Sequence, residues 1–144
     1  MQIKREIYMK KIILGCFLII FASGCTTLRV TAANNLDDKK ICVINNKSVR
    51  EVFAEAYINQ IIENGYQAKL INNKDKSNCT VTSTYTATYG MHWGTYLATA
   101  DLKIFNNGLQ VGQAIYKAPF ASPAKHGRVE GKIADMLDKL LPPL

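Results

Sequence analysis

Hydrophobic positions in the first half of the chain predict a strand, a helix and a second strand. Residues 41–44 form a short apolar run rich in β-branched side chains, which is typical of a buried strand. Apolar residues then recur at helical spacing over residues 48–61, where Ser48 and Glu51 match a capping box at the helix start. Residues 66–71 predict another strand. Because the connection is a single helix, we expect the two strands to be parallel and joined by a right-handed crossover.

The second half of the chain contains the clearest alternation along the sequence. Threonine occupies every even position from 80 to 88, which predicts a strand with one threonine face. We interpret that face as a solvated sheet surface, with a flat ligand or assembly surface as the alternative. Asn107 and Gly108 predict a hairpin turn between strands at 96–105 and 109–116, because both residues accept a positive φ.

A last amphipathic pattern at residues 129–141 predicts a C-terminal helix, which Pro142 and Pro143 end. The predicted order of elements is therefore β-α-β-β-β-β-α. This order favours the α/β (α+β) class and a single domain at residues 41–144, with a mixed sheet of about five strands and two helices on one face.

The N-terminal hydrophobic run predicts a targeting signal. Residues 12–21 follow Lys10 and Lys11 and have the length of a signal-peptide core, shorter than the ~20 residues of a membrane span. The small residues 22–24 and Cys25 then match the cleavage and lipidation site of a bacterial lipoprotein. We expect residues 1–24 to be a signal peptide and Cys25 to be the acylated first residue. The rival match at Cys16 would leave almost no hydrophobic core, whereas an ordinary secretory signal and a retained anchor stay as alternatives.

Localisation follows from this signal. Thr26 stands where an Asp commonly retains enteric lipoproteins at the inner membrane, so the sequence favours an outer-membrane lipoprotein that faces the periplasm. Residues 25–40 contain few large apolar side chains and predict a lipidated flexible tether. The membrane, through the lipid on Cys25, is the first expected partner.

Net charge and cysteine content argue against two functions, nucleic-acid binding and redox chemistry. The chain has a net charge of +7, of which residues 1–24 carry +3, and the remaining bases are too scattered for a nucleic-acid surface. Cys42 and Cys79 are the two cysteines left after Cys16 and Cys25 are assigned. An oxidising compartment favours a disulfide between them, with free thiols as the alternative, and the absence of C-x-x-C argues against a redox pair.

Candidate catalytic and metal-binding groups are few. The only histidines are His92 and His126, and neither belongs to a paired-histidine spacing. The sequence contains no nucleophile-elbow or phosphate-binding glycine motif. We therefore expect no metal, no cofactor and no enzymatic activity.

The loop at 90–94 is the best candidate binding site. It contains His92 and Trp93, the only tryptophan, and is flanked by Tyr89 and Tyr96. Rigid aromatic side chains are effective contact anchors, so the loop is interpreted as a partner or ligand site. In the alternative interpretation, Trp93 folds back and covers the end of the core.

A second candidate is the loop at 117–128. It carries Lys117, Lys125, His126 and Arg128, which together suit an anionic partner. Ordinary solvation of surface charges is the alternative.

Several short motifs together resemble a family of small lipoproteins of Gram-negative bacteria without an assigned activity. They are the lipidation site, residues 41–44, Val49-Arg50, Gly65-Tyr66, Cys79, residues 84–87, Trp93, Tyr96, Asn107-Gly108 and residues 111–114. The resemblance implies lipidation and a compact α/β domain. The order of elements also looks like small periplasmic lipoproteins that assemble larger envelope machines. We expect a non-enzymatic interaction module that docks on an envelope protein or polymer, with a small-ligand-binding lipoprotein as the alternative.

Overall fold

The computed structural model describes residues 27–120 and 123–144. The predicted signal peptide at residues 1–24 and the predicted lipidation site, Cys25, lie outside the described residues. Within these two ranges, no helix is long and apolar enough to cross a membrane.

One mixed sheet of six strands forms the centre of the fold, in the order β1-β6-β5-β4-β2-β3. Strand β2 is parallel to both β3 and β4, and the other neighbours are antiparallel. The strands are β1 Thr27–Thr31, β2 Lys40–Ile44, β3 Gln67–Ile71, β4 Val81–Met91, β5 Thr95–Asn106 and β6 Leu109–Lys117. The predicted α+β class is confirmed, with one strand more than expected.

The additional strand is β1, in the segment for which the sequence predicts a flexible tether at residues 25–40. Residues 27–31 instead pair with β6, where Thr27 faces Lys117 and Thr31 faces Gln113. Leu28 and Val30 alternate with polar residues and pack against the core, which corrects the tether prediction for this stretch. The sequence prediction followed the polar composition of residues 25–40 as a whole and missed this five-residue alternation.

Both helices, α1 (Glu51–Glu63) and α2 (Val129–Leu140), pack on one face of the sheet. Their apolar faces meet the inward side chains of the central strands in one continuous core, as the sequence predicts. The largest fully buried side chains are Tyr57, Tyr85, Phe53, Ile41, Ile61, Leu97, Leu102, Ile104, Ile133, Met136, Leu137 and Leu140. Two short 3-10 helices, Asn73–Asn78 and Pro123–His126, lie in the connections.

The start of α1 differs from the predicted capping box. The N-cap residue is Arg50, whose side chain makes no capping hydrogen bond, and the helix begins at Glu51. The backbone N–H of Ser48 donates to Oδ1 of Asn46 at 3.0 Å, so Ser48 belongs to the preceding turn. The competing turn formed by Asn46 displaces the cap.

The fully buried hydroxyl of Tyr57 is hydrogen-bonded in the core. The hydroxyl of Ser83 donates to the carbonyl of Lys103 at 3.1 Å, which leaves its oxygen to accept from the hydroxyl of Tyr57 at 2.5 Å. Burial raises the pKa of Tyr57 above its ordinary range. These contacts tie α1 to β4 and β5 without leaving the Tyr57 hydroxyl unpaired.

A disulfide joins Cys42 in β2 to Cys79, which precedes β4. The two Cα atoms are 6.2 Å apart, and the bond closes a sequence separation of 37 residues. The predicted bond is therefore present in the structure. Closing a loop of this length stabilises a fold by roughly 3 to 4 kcal/mol in the chain-entropy model.

Candidate functional site

The two loops singled out in the sequence lie together at one end of the sheet. Strand β4 ends at Met91, β5 begins at Thr95 and β6 ends at Lys117. Since these three strands are antiparallel neighbours, all three positions lie toward one end of the sheet; Met91 pairs with Thr95 at the turn, and β6 ends four residues short of the turn because Lys117 pairs with Thr99. Thr27, the first residue of β1, pairs with Lys117 and begins at the same end.

The turn between β4 and β5 places Trp93 in solvent. Trp93 has φ +58° and Gly94 has φ +131°, and the N–H of His92 donates to the carbonyl of Gly94 at 3.0 Å. A bulky residue rarely adopts the left-handed conformation. The Trp93 side chain is 93% exposed, so it does not cover the core as the alternative interpretation expected.

Tyr96 connects the two loops. It pairs with Gly90 across β4 and β5, and a Cβ atom on Gly90 would lie 2.5 Å from Cζ of the tyrosine ring. Because glycine has no side chain, the ring of Tyr96 can pack directly over Gly90. On the other side, the ring lies edge to face with the ring of His126 at a centroid distance of 5.6 Å.

Lysine side chains hold the segment that follows β6. Nζ of Lys125, a residue only 6% exposed, donates to the carbonyl of Phe120 at 3.3 Å and lies 5.1 Å from the ring centroid of Tyr96. Nζ of Lys132 donates to the carbonyl of Lys125 at 2.6 Å, and burial lowers the pKa of Lys132. The backbone of Phe120 is thus held while its side chain stays exposed.

Three large hydrophobic side chains consequently project from this end of the sheet. Met91 is 84% exposed, Trp93 is 93% exposed and Phe120 is 97% exposed. We call these three residues the tip. The sequence predicted Trp93 as a site residue but did not single out Met91 or Phe120. For Phe120, an available signal was its position as a large aromatic residue directly after Pro119 in a loop.

An open cleft of about 660 Å³ separates the two loops. Its lining combines aromatic rings, two imidazoles and one ammonium group, and contains no carboxylate. The lining residues are Met91, His92, Trp93, Tyr96, Phe120, Pro123, Lys125 and His126. The structure therefore brings together three of the four predicted binding residues, His92, Trp93 and Tyr96.

The fourth, Tyr89, lies on the helix side of the sheet rather than in this lining. The guanidinium of Arg50 lies 4.3 Å from the centroid of the Tyr89 ring. Burial raises the pKa of Tyr89, and the nearby Arg50 charge acts in the opposite direction. From the second loop, Lys125 and His126 line the cleft, whereas Lys117 and Arg128 are exposed and do not belong to its lining.

The site shows no metal-binding cluster. Across residues 27–120 and 123–144, no three His, Cys, Asp or Glu side chains are grouped so that they could hold a metal ion. The chemistry available at this end of the sheet is apolar contact, aromatic stacking and attraction of anions.

The threonine face of β4 is a second candidate surface. Thr86 and Thr88 are exposed on the side of the sheet opposite the helices, and the hydroxyls of Thr88 and Thr99 are 2.7 Å apart. Neither α1 nor α2 covers this face. It is flat and polar, in contrast to the apolar tip.

Comparison with protein-family models gives no match, and neither does comparison with curated proteins. Among solved structures, the fold is similar to that of a PelC dodecamer from Paraburkholderia phytofirmans, with 15% identity and a TM-score of 0.57 over 79% of this chain and 98% of that chain. A PelC variant dodecamer from the same organism, in another crystal form, has 12% identity and a TM-score of 0.54, covering 79% and 94%. At these identities the likeness concerns the fold alone.

Proposed function

We propose that this protein is a lipid-anchored interaction module of the bacterial cell envelope. In this proposal, lipid on Cys25 holds the chain at the outer membrane and the domain faces the periplasm. The tip is the surface that contacts an envelope component, and the protein carries out no catalysis of its own.

The exposed tip is the observation that carries this proposal. Met91, Trp93 and Phe120 lie at one end of the sheet with almost their whole side chains in solvent. Burying one such side chain at a contact contributes about 1.5 to 3 kcal/mol. Aromatic residues at the centre of an exposed apolar surface are the usual anchors of binding sites.

The support beneath the tip favours the same function. Tyr96, Lys125 and His126 hold the two loops against each other through ring contacts and a backbone hydrogen bond. A surface that is already ordered loses less conformational entropy when it binds. The tip is therefore suited to docking without rearrangement.

Assembly with further copies is one form that docking can take. The PelC structures with a similar fold are dodecamers. We include assembly of several copies in the proposal, and the polar face with Thr86 and Thr88 is exposed and available for contacts between copies. If the copies form a closed ring, the tips of all copies lie on one side of it, which multiplies a weak contact.

Photo-crosslinking in cells tests the contact surface. A photoreactive phenylalanine analogue is placed at position 93 and, separately, at position 126 of the full-length protein. The matched control is position 109, because Leu109 is also exposed, at 73%, but lies at the opposite end of β6. We expect covalent adducts with an envelope component from positions 93 and 126 and none from position 109.

Mass spectrometry of the adduct identifies the partner. Equal labelling from positions 93 and 109 would contradict a dedicated contact surface. Absence of any adduct from positions 93 and 126, in a protein that is folded and membrane-bound, would contradict the proposal as a whole.

A small-ligand-binding role is the second candidate, and the cleft of about 660 Å³ beside Trp93 favours it. Its rings, imidazoles and ammonium group suit a small anionic molecule with an apolar part. Native mass spectrometry of the purified protein would show a bound mass that Tyr96→Ala removes and Leu109→Ala retains. A protein that carries no such mass would leave docking as the better account.

A further inference from the structure

We propose that the partner of the tip is the lipid surface itself: Met91, Trp93 and Phe120 enter the headgroup region of an anionic bilayer. This inference deepens the proposed function and rests on its lipid anchor at Cys25.

The tip and the proposed lipid anchor lie in the same half of the sheet. Thr27 pairs with Lys117, which pairs with Thr99 four residues along β5 from its start at the tip, and Cys25 precedes Thr27 by two residues. Two residues of fully extended chain span at most about 7 Å. A lipid on Cys25 therefore attaches in the half of the sheet from which the tip projects.

The opposite end of the sheet is farther from this attachment point. Thr27 is level with Thr99 of β5, four residues from the start of that strand at Thr95 and seven from its end at Asn106. At about 3.3 Å per residue, Thr27 is roughly 13 Å along the strand from the tip end and roughly 23 Å from the hairpin end. A bilayer that holds the lipid of Cys25 is consequently nearer to the tip than to the hairpin.

The chemistry of the tip suits the membrane interface. Tryptophan is enriched at the headgroup level of membranes because its ring is apolar while its N–H remains hydrated. Phe120 and Met91 add apolar side chains at the same end of the sheet. An exposed surface of this kind gains free energy by leaving water for lipid.

Charge around the tip favours anionic lipid in particular. The loops at 90–94 and 117–128 contain Lys117, Lys125, Arg128 and both histidines, and no carboxylate. Lys117 and Arg128, the first and last residues of the second loop, are exposed and available to anionic headgroups. The buried Lys125 instead holds the backbone of Phe120, and so orients the tip.

Because the lipid already attaches the protein, a weak insertion of the tip into the bilayer is sufficient to orient the domain. The lipid of Cys25 keeps the tip at a high effective concentration beside the bilayer, so that insertion is an intramolecular step. Three side chains need only bias the orientation of a domain that is already attached.

Trp93 is the only tryptophan of the chain and reports on the contact directly. The full-length protein is expressed, and its membrane-processed product is reconstituted in vesicles of phosphatidylethanolamine and phosphatidylglycerol. We expect the emission of Trp93 to shift to shorter wavelength and to be quenched by vesicles whose acyl chains carry bromine. Phe120→Ser is expected to weaken both effects, and vesicles without phosphatidylglycerol are expected to do the same.

The matched control moves the reporter to the other end of the sheet. In the double variant Trp93→Phe, Leu109→Trp, the only tryptophan lies at an exposed position of the hairpin end. Its emission is expected to remain that of a tryptophan in water, without quenching by brominated lipid.

The outcomes separate this inference from the proposed function. A protein that floats with the vesicles but shows no quenching of Trp93 would overturn the lipid contact and leave the anchor standing. A protein that does not float would overturn both. Shielding of Trp93 in native membranes but not in pure lipid vesicles would assign the tip to a protein partner and overturn the inference.

Discussion

The two ends of the sheet differ in whether their side chains bond within the protein or project into solvent. At the hairpin end, Nδ2 of Asn106 donates to the carbonyl of Asn35 at 3.0 Å, and Nδ2 of Asn107 donates to Oδ2 of Asp37 at 2.8 Å. The disulfide lies at this end as well. At the opposite end, Met91, Trp93 and Phe120 project into solvent and contribute little packing.

This difference separates the groups that stabilise the domain from the groups that we propose make the contact. The hairpin end is fixed by covalent and hydrogen bonds, so substitutions there are expected to lower the free energy of unfolding. The tip leaves apolar surface in water, which favours contact with a partner over stability. Substitutions at the two ends should therefore have opposite consequences for folding and for contact.

Removal of the disulfide is expected to have the largest effect on stability. The double variant Cys42→Ser, Cys79→Ser should lose roughly 3 to 4 kcal/mol of unfolding free energy, because the unfolded chain regains the entropy of an open loop. Chemical denaturation under oxidising conditions measures the loss. A reducing agent should destabilise the natural chain and leave the double variant unchanged; equal midpoints for the two chains would contradict this account.

Gly112→Ala tests the packing of the loop after β1 on the sheet. A Cβ atom at this position would lie 2.8 Å from Cβ and 2.9 Å from the backbone N of the buried Ala33. The clash is with backbone, so we expect a loss of about 1 to 3 kcal/mol in unfolding free energy.

Gly131→Ala is the matched control for Gly112→Ala. Gly131 is exposed in α2, and a Cβ atom there would meet nothing within 4 Å. Alanine favours the helix, so the control should gain up to about 1 kcal/mol. Thermal unfolding of both variants side by side measures the two signs, and a destabilised Gly131→Ala would contradict the open space around this position.

Asn107→Ala is expected to have a smaller effect. Asn107 has φ +50° and donates to Asp37, and alanine is less tolerant of this conformation and lacks the donor. We expect a loss on the order of 1 to 2 kcal/mol. Asn107→Gly keeps the conformation and loses only the side-chain hydrogen bond, so its unfolding midpoint should lie between those of the natural chain and Asn107→Ala.

Phe120→Ser is expected to change stability least. The side chain is almost wholly exposed, and surface substitutions of this kind stay within about 0.5 kcal/mol. The same variant should weaken the crosslinking from position 93, which no hairpin-end variant is expected to do. A loss of stability comparable with that of Gly112→Ala would show that Phe120 belongs to the core.

The parts of the fold that depend on local pattern were predictable. The turn at Asn107 and Gly108, the C-terminal helix and the two parallel strands follow from signals within a few residues. The pairing of Cys42 with Cys79 followed from elimination and compartment. Strand β1 has only a five-residue alternation as its local signal, and its partners in β6, which supply the ordering contacts, lie 82 to 90 residues away in the sequence.

The candidate site was predictable as two separate loops but not as one surface. Residue type alone predicted Trp93 and His126 as candidates. Their proximity depends on the registers of β4, β5 and β6. The exposure of Phe120 depends on the buried Lys125, a residue type that sequence reasoning places on the surface. Burial of a lysine against Tyr96 is a tertiary effect that no local pattern indicates.

Lipid labelling of Cys25 tests the central claim most directly, because the proposed anchor would determine which end of the sheet lies beside the membrane. Cells that express the full-length protein are fed an alkyne analogue of palmitate, and the label is compared between Cys25→Ala and the control Cys16→Ala. The account predicts that Cys25→Ala loses the label while Cys16→Ala keeps it. A Cys25→Ala protein that remains labelled would contradict the anchor, and with it the orientation that places the tip at the lipid surface.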